Sequence, residues 1–240
     1  MLIIENYYIN KNDVLSFLFG ENEKFDLFDV INKSLENDKA RSYVDGNKHL
    51  EFTGFGSFVY MDQDASVRIE GFDLEKDSLQ DKQILKGFRE LFAYMNIDVS
   101  SFVLDSITAN EDGSYTLFFT ENYNDYLIFD NRAKITVFNG GLRSIDFSIS
   151  KIEGFSKSTS AIMPAHLVLL KNFYSLSSYG QVNTDIIISS IEIGFKGFDD
   201  KIDENTQNTE TESTVQSPSW RVITKDGRVV YFKAYDGEEI

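Results

Sequence analysis

The sequence predicts an α+β protein: two packed modules of antiparallel sheet with helices on one face. Apolar and polar residues alternate with period two in many short runs, as in half-buried strands. Turn dipeptides such as Asp112-Gly113, Asn139-Gly140 and Asp226-Gly227 separate those runs at hairpin spacing. Only a few segments carry a three- and four-residue apolar stripe, and they lie between the strand runs rather than alternating with each strand.

Along the chain, Asn12-Asp13 caps a short apolar helix (Val14, Leu15, Phe17, Leu18) that stops at Gly20. Phe25, Phe28, Ile31 and Leu35 continue at helical spacing. Leu50 and Phe52, then Phe58 and Tyr60, read as strands interrupted by Gly54 and Gly56; Val67 and Ile69 form another. Ser78 opens the strongest helix, with Asp81 in its first turn and a stripe of Leu79, Leu85, Phe88, Leu91, Phe92 and Met95 ending near Asn96. Strands are expected at 102–108, 115–120, 126–130 and 135–138, and around Ile145, Phe147 and Ile149. Ser158 or Ser160 caps a further helix with Pro164 in its first turn, where a missing amide hydrogen costs nothing. Its inward face is read as Leu167, Leu170, Phe173, Tyr174 and Leu176. A long strand, 186–195, precedes a C-terminal hairpin closed by Asp226-Gly227.

Element order divides the chain into an N-terminal helical segment with the first strands (1–65), a first α+β module (66–142) and a second (143–240). The stretch 199–217 is acidic and almost free of apolar side chains, so it is expected to be a flexible loop. Asp199, Asp203 and Asn205 within it lack the glycine and terminal glutamate of a calcium-binding loop.

The chain has 240 residues, 39 acidic and 23 basic, for a net charge of −16. Such a field disfavours nucleic acid and anionic membrane surfaces and suits solubility or a basic partner. With no cysteine, disulfides, thiolate nucleophiles and cysteine-based zinc sites are excluded. The opening Met1-Leu2-Ile3-Ile4 is far shorter than the ~20 apolar residues of a spanning helix.

No constellation for catalysis emerges, and no catalytic, cofactor-binding or metal-ligating residue is assigned. His49 and His166, the only histidines, stand alone. Gly54-Phe55-Gly56 begins like a dinucleotide-binding loop, but Val59 occupies the third glycine position, and a tight turn in a sheet explains it better. Glu51, Glu70 and Glu121 fall in or near strands, where a glycosidase pair could sit, yet with so many acids the coincidence carries little weight. The runs Phe52, Phe55, Phe58, Tyr60 and Tyr115, Phe118, Phe119, Tyr123, Tyr126, Phe129 are richer in aromatics than one sheet face needs. Phe118 and Phe119 face opposite sides, one toward the core and the other toward a covering helix or a partner.

The C-terminal hairpin is the most specific stretch. Pro218, Trp220, Arg221 and Val222, followed by Tyr231, Phe232, Ala234 and Asp236-Gly237, resemble the C-terminal signature of the YycH/YycI regulatory proteins, and YycI is the nearer match. The resemblance covers roughly the last third of the chain. It implies the extracytoplasmic part of a non-enzymatic, membrane-anchored regulator from Gram-positive bacteria. Such a protein modulates a sensor histidine kinase of a two-component system controlling cell-wall metabolism, with a YycH-like companion. It also implies an N-terminal membrane anchor, absent from this chain and expected upstream of Met1. The alternative is a module binding a small molecule or cell-wall fragment, with no cofactor in either case. Trp220 is expected in the core. The residues that touch a partner, the sign of regulation and the oligomeric state are not legible in the sequence.

Overall fold

The computed structural model describes residues 1–20, 41–69, 72, 80–157, 160–178, 186–197 and 214–240. Of these described residues, strand accounts for 51% and helix for 19%, which is the expected α+β class. The chain divides into two compact units, drawn along other lines than the modules 66–142 and 143–240. One unit takes residues 6–122 and 131–150, the other residues 1–5, 123–130 and 151–240. The difference arises because strand pairing joins segments distant in sequence, which element order cannot reveal.

The first unit contains α1 (Lys11–Phe19), β2 (Arg41–Asp45), β3 (Lys48–Gly54), β4 (Ser57–Asp62), β5 (Val67–Arg68), α2 (Asp81–Tyr94), β6 (Phe102–Ala109), β7 (Tyr115–Tyr123) and β9 (Gly141–Ser148). It also holds the later part of β8 (Tyr126–Phe138). Strands run in the order β7-β8-β9-β4-β3-β2, with β6 beside β7 and β5 beside β9. Helix α1 is capped by Asn10, whose side chain accepts from the Asn12 amide, rather than by Asn12-Asp13. Helix α2 begins after Gln80, and the expected cap Ser78 lies outside the described residues. Its stripe forms the centre of the core: Phe88 stacks on Phe119 at 3.8 Å and Phe92 packs on Phe147 at 4.5 Å. The two strands expected at 126–130 and 135–138 are one, because residues 131–134 stay extended within β8 and Arg132–Lys134 already pair with β9.

The second unit contains β1 (Leu2–Asn6), the start of β8, β10 (Ser150–Phe155), α3 (Ala165–Lys171), α4 (Phe173–Ser178), β11 (Ile188–Lys196), β12 (Thr214–Thr224) and β13 (Val229–Lys233). The strand order is β10-β1-β12-β11-β8, with β13 also on β12. All pairs described there are antiparallel except β11 with β8, whose register sets Gly194 opposite Leu127. The apolar opening of the chain, β1, pairs with Thr214–Gln216. The expected acidic loop 199–217 therefore ends earlier than its composition suggests, since backbone pairing requires no apolar side chains there; its remainder, 199–213, lies outside the described residues. So do Phe25–Leu35.

The C-terminal hairpin forms as predicted. Gly227 has φ +84° at the turn, and Trp220 pairs with Phe232 and Arg221 with Tyr231. Val222, Phe232 and Ala234 are fully buried. Trp220 is only half-buried, however, packing at the rim of the cluster of Val168, Leu176, Val222 and Phe232. Its Nε1 donates to the Met163 carbonyl at 2.9 Å, and such a bond keeps the polar edge of the ring near the surface.

The helix after Pro164 departs most from expectation. It breaks at Asn172, whose Nδ2 donates to the carbonyls of Val168 (2.9 Å) and Gly237 (2.7 Å). The break resets the helical phase, so Val168 and Leu176 are buried, while Leu167, Leu170, Phe173 and Tyr174 face solvent.

Candidate functional site

The described residues present two apolar surfaces, both within the second unit. The first grows from the turn between β7 and β8. Asn124 (φ +50°) and Asp125 (φ +68°) make a tight turn with both central residues left-handed. The turn brings Tyr123 and Tyr126 beside Phe155 of β10 and Phe195 of β11. Phe155 lies 5.6 Å from Tyr123 and 5.5 Å from Phe195, ring centre to ring centre, and Tyr126 meets Phe195 edge-on at 5.6 Å. Phe195 is buried and anchors the group, whereas Tyr126 and Phe155 are 40% and 43% exposed. Edge-on and tilted packing holds the rings in place while leaving aromatic surface open to contact. The sequence singled out Tyr123 and Tyr126; it missed Phe155 and Phe195, which reach them only through strand pairing.

The second surface is the outer side of α3 and α4. Leu170 is 69% exposed, Phe173 58% and Tyr174 83%. The inner side is held firmly: the Met163 amide donates to the Ala234 carbonyl at 2.7 Å, and Lys171 Nζ to the Asp236 carbonyl at 2.6 Å.

The remaining candidates that the structure describes lie apart from one another. His49 Nε2 shares a hydrogen bond with Ser42 Oγ at 2.7 Å across the β2–β3 hairpin. His166 is exposed on α3. Gly54-Phe55-Gly56 is the β3–β4 hairpin turn. Glu51 and Glu121 lie on β3 and β7, four strand spacings apart in the order above; that is roughly 19 Å, twice what a glycosidase pair tolerates. Glu121 is engaged by Ser101 Oγ (2.8 Å) and Asn131 Nδ2 (2.6 Å). Glu70, Asp199, Asp203 and Asn205 lie outside the described residues. Phe119 is buried against α2, and Phe118 lies under the Lys134 ammonium at 5.8 Å, so the two rings do face opposite sides.

Among the described residues, no group of His, Asp or Glu could hold a metal ion. Two open grooves, about 500 and 380 Å³, run along α2 in the first unit. Of their charged groups, Lys86 pairs with Glu90 at 3.4 Å, and Arg89 Nη2 donates to the Ser100 carbonyl at 3.0 Å.

Among the described residues, hydrogen bonds and nearby charges lower the pKa of the Asp62, Asp98, Asp112, Glu153 and Asp226 carboxyls. Burial pushes the Asp62 carboxyl upward, but hydrogen bonds from the Ser66 hydroxyl, the Ser66 and Asp64 amides, and the Lys48 charge outweigh it and hold the group below the usual range. Asp112 is held at about 2 by the Ser114 hydroxyl and amide and by Arg143. Both are turn-building carboxylates. Burial, reinforced by Asp62, raises the Tyr60 phenol far above its usual range, so it stays neutral.

No family model matches the chain, and no curated protein matches its sequence. Among solved structures, the fold is similar to that of an uncharacterized protein from Eubacterium rectale ATCC 33656. The TM-score is 0.59 at 13% identity, over 100% of this chain and 84% of that one. The likeness concerns the fold alone. Of the helices described, none is long and apolar enough to cross a membrane.

Proposed function

We propose that this chain is a non-enzymatic interaction protein, the extracytoplasmic part of a YycI-like regulator of a sensor histidine kinase. The aromatic group of Tyr123, Tyr126, Phe155 and Phe195 carries the reading. Rigid, half-open aromatic rings on a sheet are the usual anchors of protein recognition. The regulator type rests only on the C-terminal signature residues, and in this fold those residues build the hairpin: Val222, Phe232 and Ala234 are core, and Gly237 (φ +74°) donates its amide to the Lys233 carbonyl. Binding would act by stabilising one state of the kinase over another, with a YycH-like companion alongside.

Crosslinking through a photoreactive residue at position 126, in membranes of cells making the full natural protein, tests this. Recovery of a sensor kinase, abolished by Phe155→Ala at unchanged melting temperature, is the expected result. Recovery of unrelated soluble proteins would sink the regulator reading. Saturable binding of soluble cell-wall saccharides at the same rings would replace it with the fragment-binding alternative.

A further inference from the structure

We infer that the outer face of α3 and α4 is a self-association surface that seats the same face of a second copy of this chain. Helix α3 is apolar nearly all round. Val168 and, in part, Leu169 pack toward the β12–β13 hairpin, yet Leu167 and Leu170 point outward and Phe173 and Tyr174 extend the apolar surface along α4. Phe173 and Tyr174 pack edge to face at 5.8 Å, so the outer surface is pre-shaped. A helix apolar on every side is buried on every side in its working state, and a contiguous exposed apolar patch marks an interaction site.

The charge pattern names the occupant. From Gly154 through Thr184 there is no Asp or Glu, in a chain carrying 39 of them. The next longest run without a carboxylate, 131–145, is about half as long. Two molecules of charge −16 repel over most of their surfaces, and this segment is where that repulsion is weakest. The one lysine on α3, Lys171, has its ammonium engaged by the Asp236 carbonyl, so it is already committed within the chain rather than held out to an acidic partner or an anionic lipid. An apolar, nearly uncharged face meets its own copy without penalty, and a two-fold axis through Leu170 would make the contact self-complementary. The surface is separate from the aromatic group above, so this inference stands or falls independently of the regulator reading.

Sedimentation velocity of the full chain over a concentration series, at low salt and at ~0.5 M salt, tests it. The expected result is a mass rising from 27.5 kDa toward twice that value. The association should strengthen with salt, because screening removes the −16/−16 repulsion while leaving the apolar contact. Leu170→Asp should weaken dimerisation at least about tenfold, with an unchanged far-ultraviolet circular dichroism spectrum. Phe173→Ser serves the same purpose should the first variant not fold. A chain that stays at 27.5 kDa at every concentration in high salt overturns the inference. A dimer indifferent to both substitutions, or one that salt dissolves, does so too. Flotation of a monomeric chain with phosphatidylcholine vesicles, abolished by Leu170→Asp, would assign the face to lipid instead.

Discussion

The indole nitrogen of Trp220 donates to the carbonyl of Met163 at 2.9 Å, fastening β12 to the segment that leads into α3. Trp220→Phe keeps most of the ring contact and removes the bond, and is expected to cost about 1 kcal/mol. Urea denaturation should show a lower midpoint with an unchanged slope. Trp220→Ala should cost less than the ~3–5 kcal/mol of a fully buried ring, because the indole sits at the rim.

Arg221 and Glu192 are register partners on β12 and β11, with Arg221 Nε donating to Glu192 Oε2 at 2.8 Å. The guanidinium side chain is 6% exposed and the carboxylate 38%, and Phe129 lies 5.1 Å beneath the guanidinium. Glu192→Ala should destabilise by about 2 kcal/mol, below the ~3–5 of a fully buried pair. The double variant Glu192→Ala/Arg221→Met should recover much of the loss. A double variant as unstable as the sum of the singles would show that the pair is not coupled.

The Asp62 carboxylate accepts from the Ser66 amide (2.8 Å), the Ser66 hydroxyl (2.6 Å) and the Asp64 amide (3.0 Å). Because its folded pKa lies below the ordinary value, its stabilising effect is complete above the usual aspartate range, near pH 4, and disappears as pH falls through the folded value. Denaturation midpoints should therefore drop on acidification below about pH 4. In Asp62→Ala the midpoint should be lower at neutral pH, with a shallower acid slope.

A Cβ at Gly56 would run into the Ile149 carbonyl oxygen and crowd that of Tyr7 at 3.1 Å. The Ile149 amide also donates to the Gly56 carbonyl at 3.0 Å, so the backbones cannot part. Gly56→Ala should cost about 2–3 kcal/mol. A melting temperature equal to the parent's would show that the turn relaxes freely.

The C-terminal hairpin, α2 and most strands were legible because each carries its own periodicity and turn chemistry. Asp226-Gly227 and the Leu85–Met95 stripe need no tertiary information. What stayed hidden is tertiary. Residues 2–6 read as a bare apolar opening, and pairing with β10 on one side and Thr214–Gln216 on the other makes them a strand. The stripe Leu167–Tyr174 assumed one unbroken helix, whereas the Asn172 side chain, drawn to the Gly237 carbonyl, breaks it. That single amide turned an expected core face into the exposed surface. Half of the aromatic group was visible in the Tyr123/Tyr126 run; Phe155 and Phe195 join it by strand order alone.

The pairing of β1 with β12 also orders events in time. Residues 6–150 hold everything the first unit needs, so that unit can close while synthesis continues. The second unit joins residues from both ends of the chain, Leu2 opposite Gln216 and Ile4 opposite Thr214, and closing so long a loop is slow. Until β12 is made, β1 has only β10 beside it, and the edge that Leu2 and Ile4 present to Gln216 and Thr214 stays open. Aggregation during synthesis, rather than instability of the finished fold, is then the point at which substitutions in β1 would be felt first.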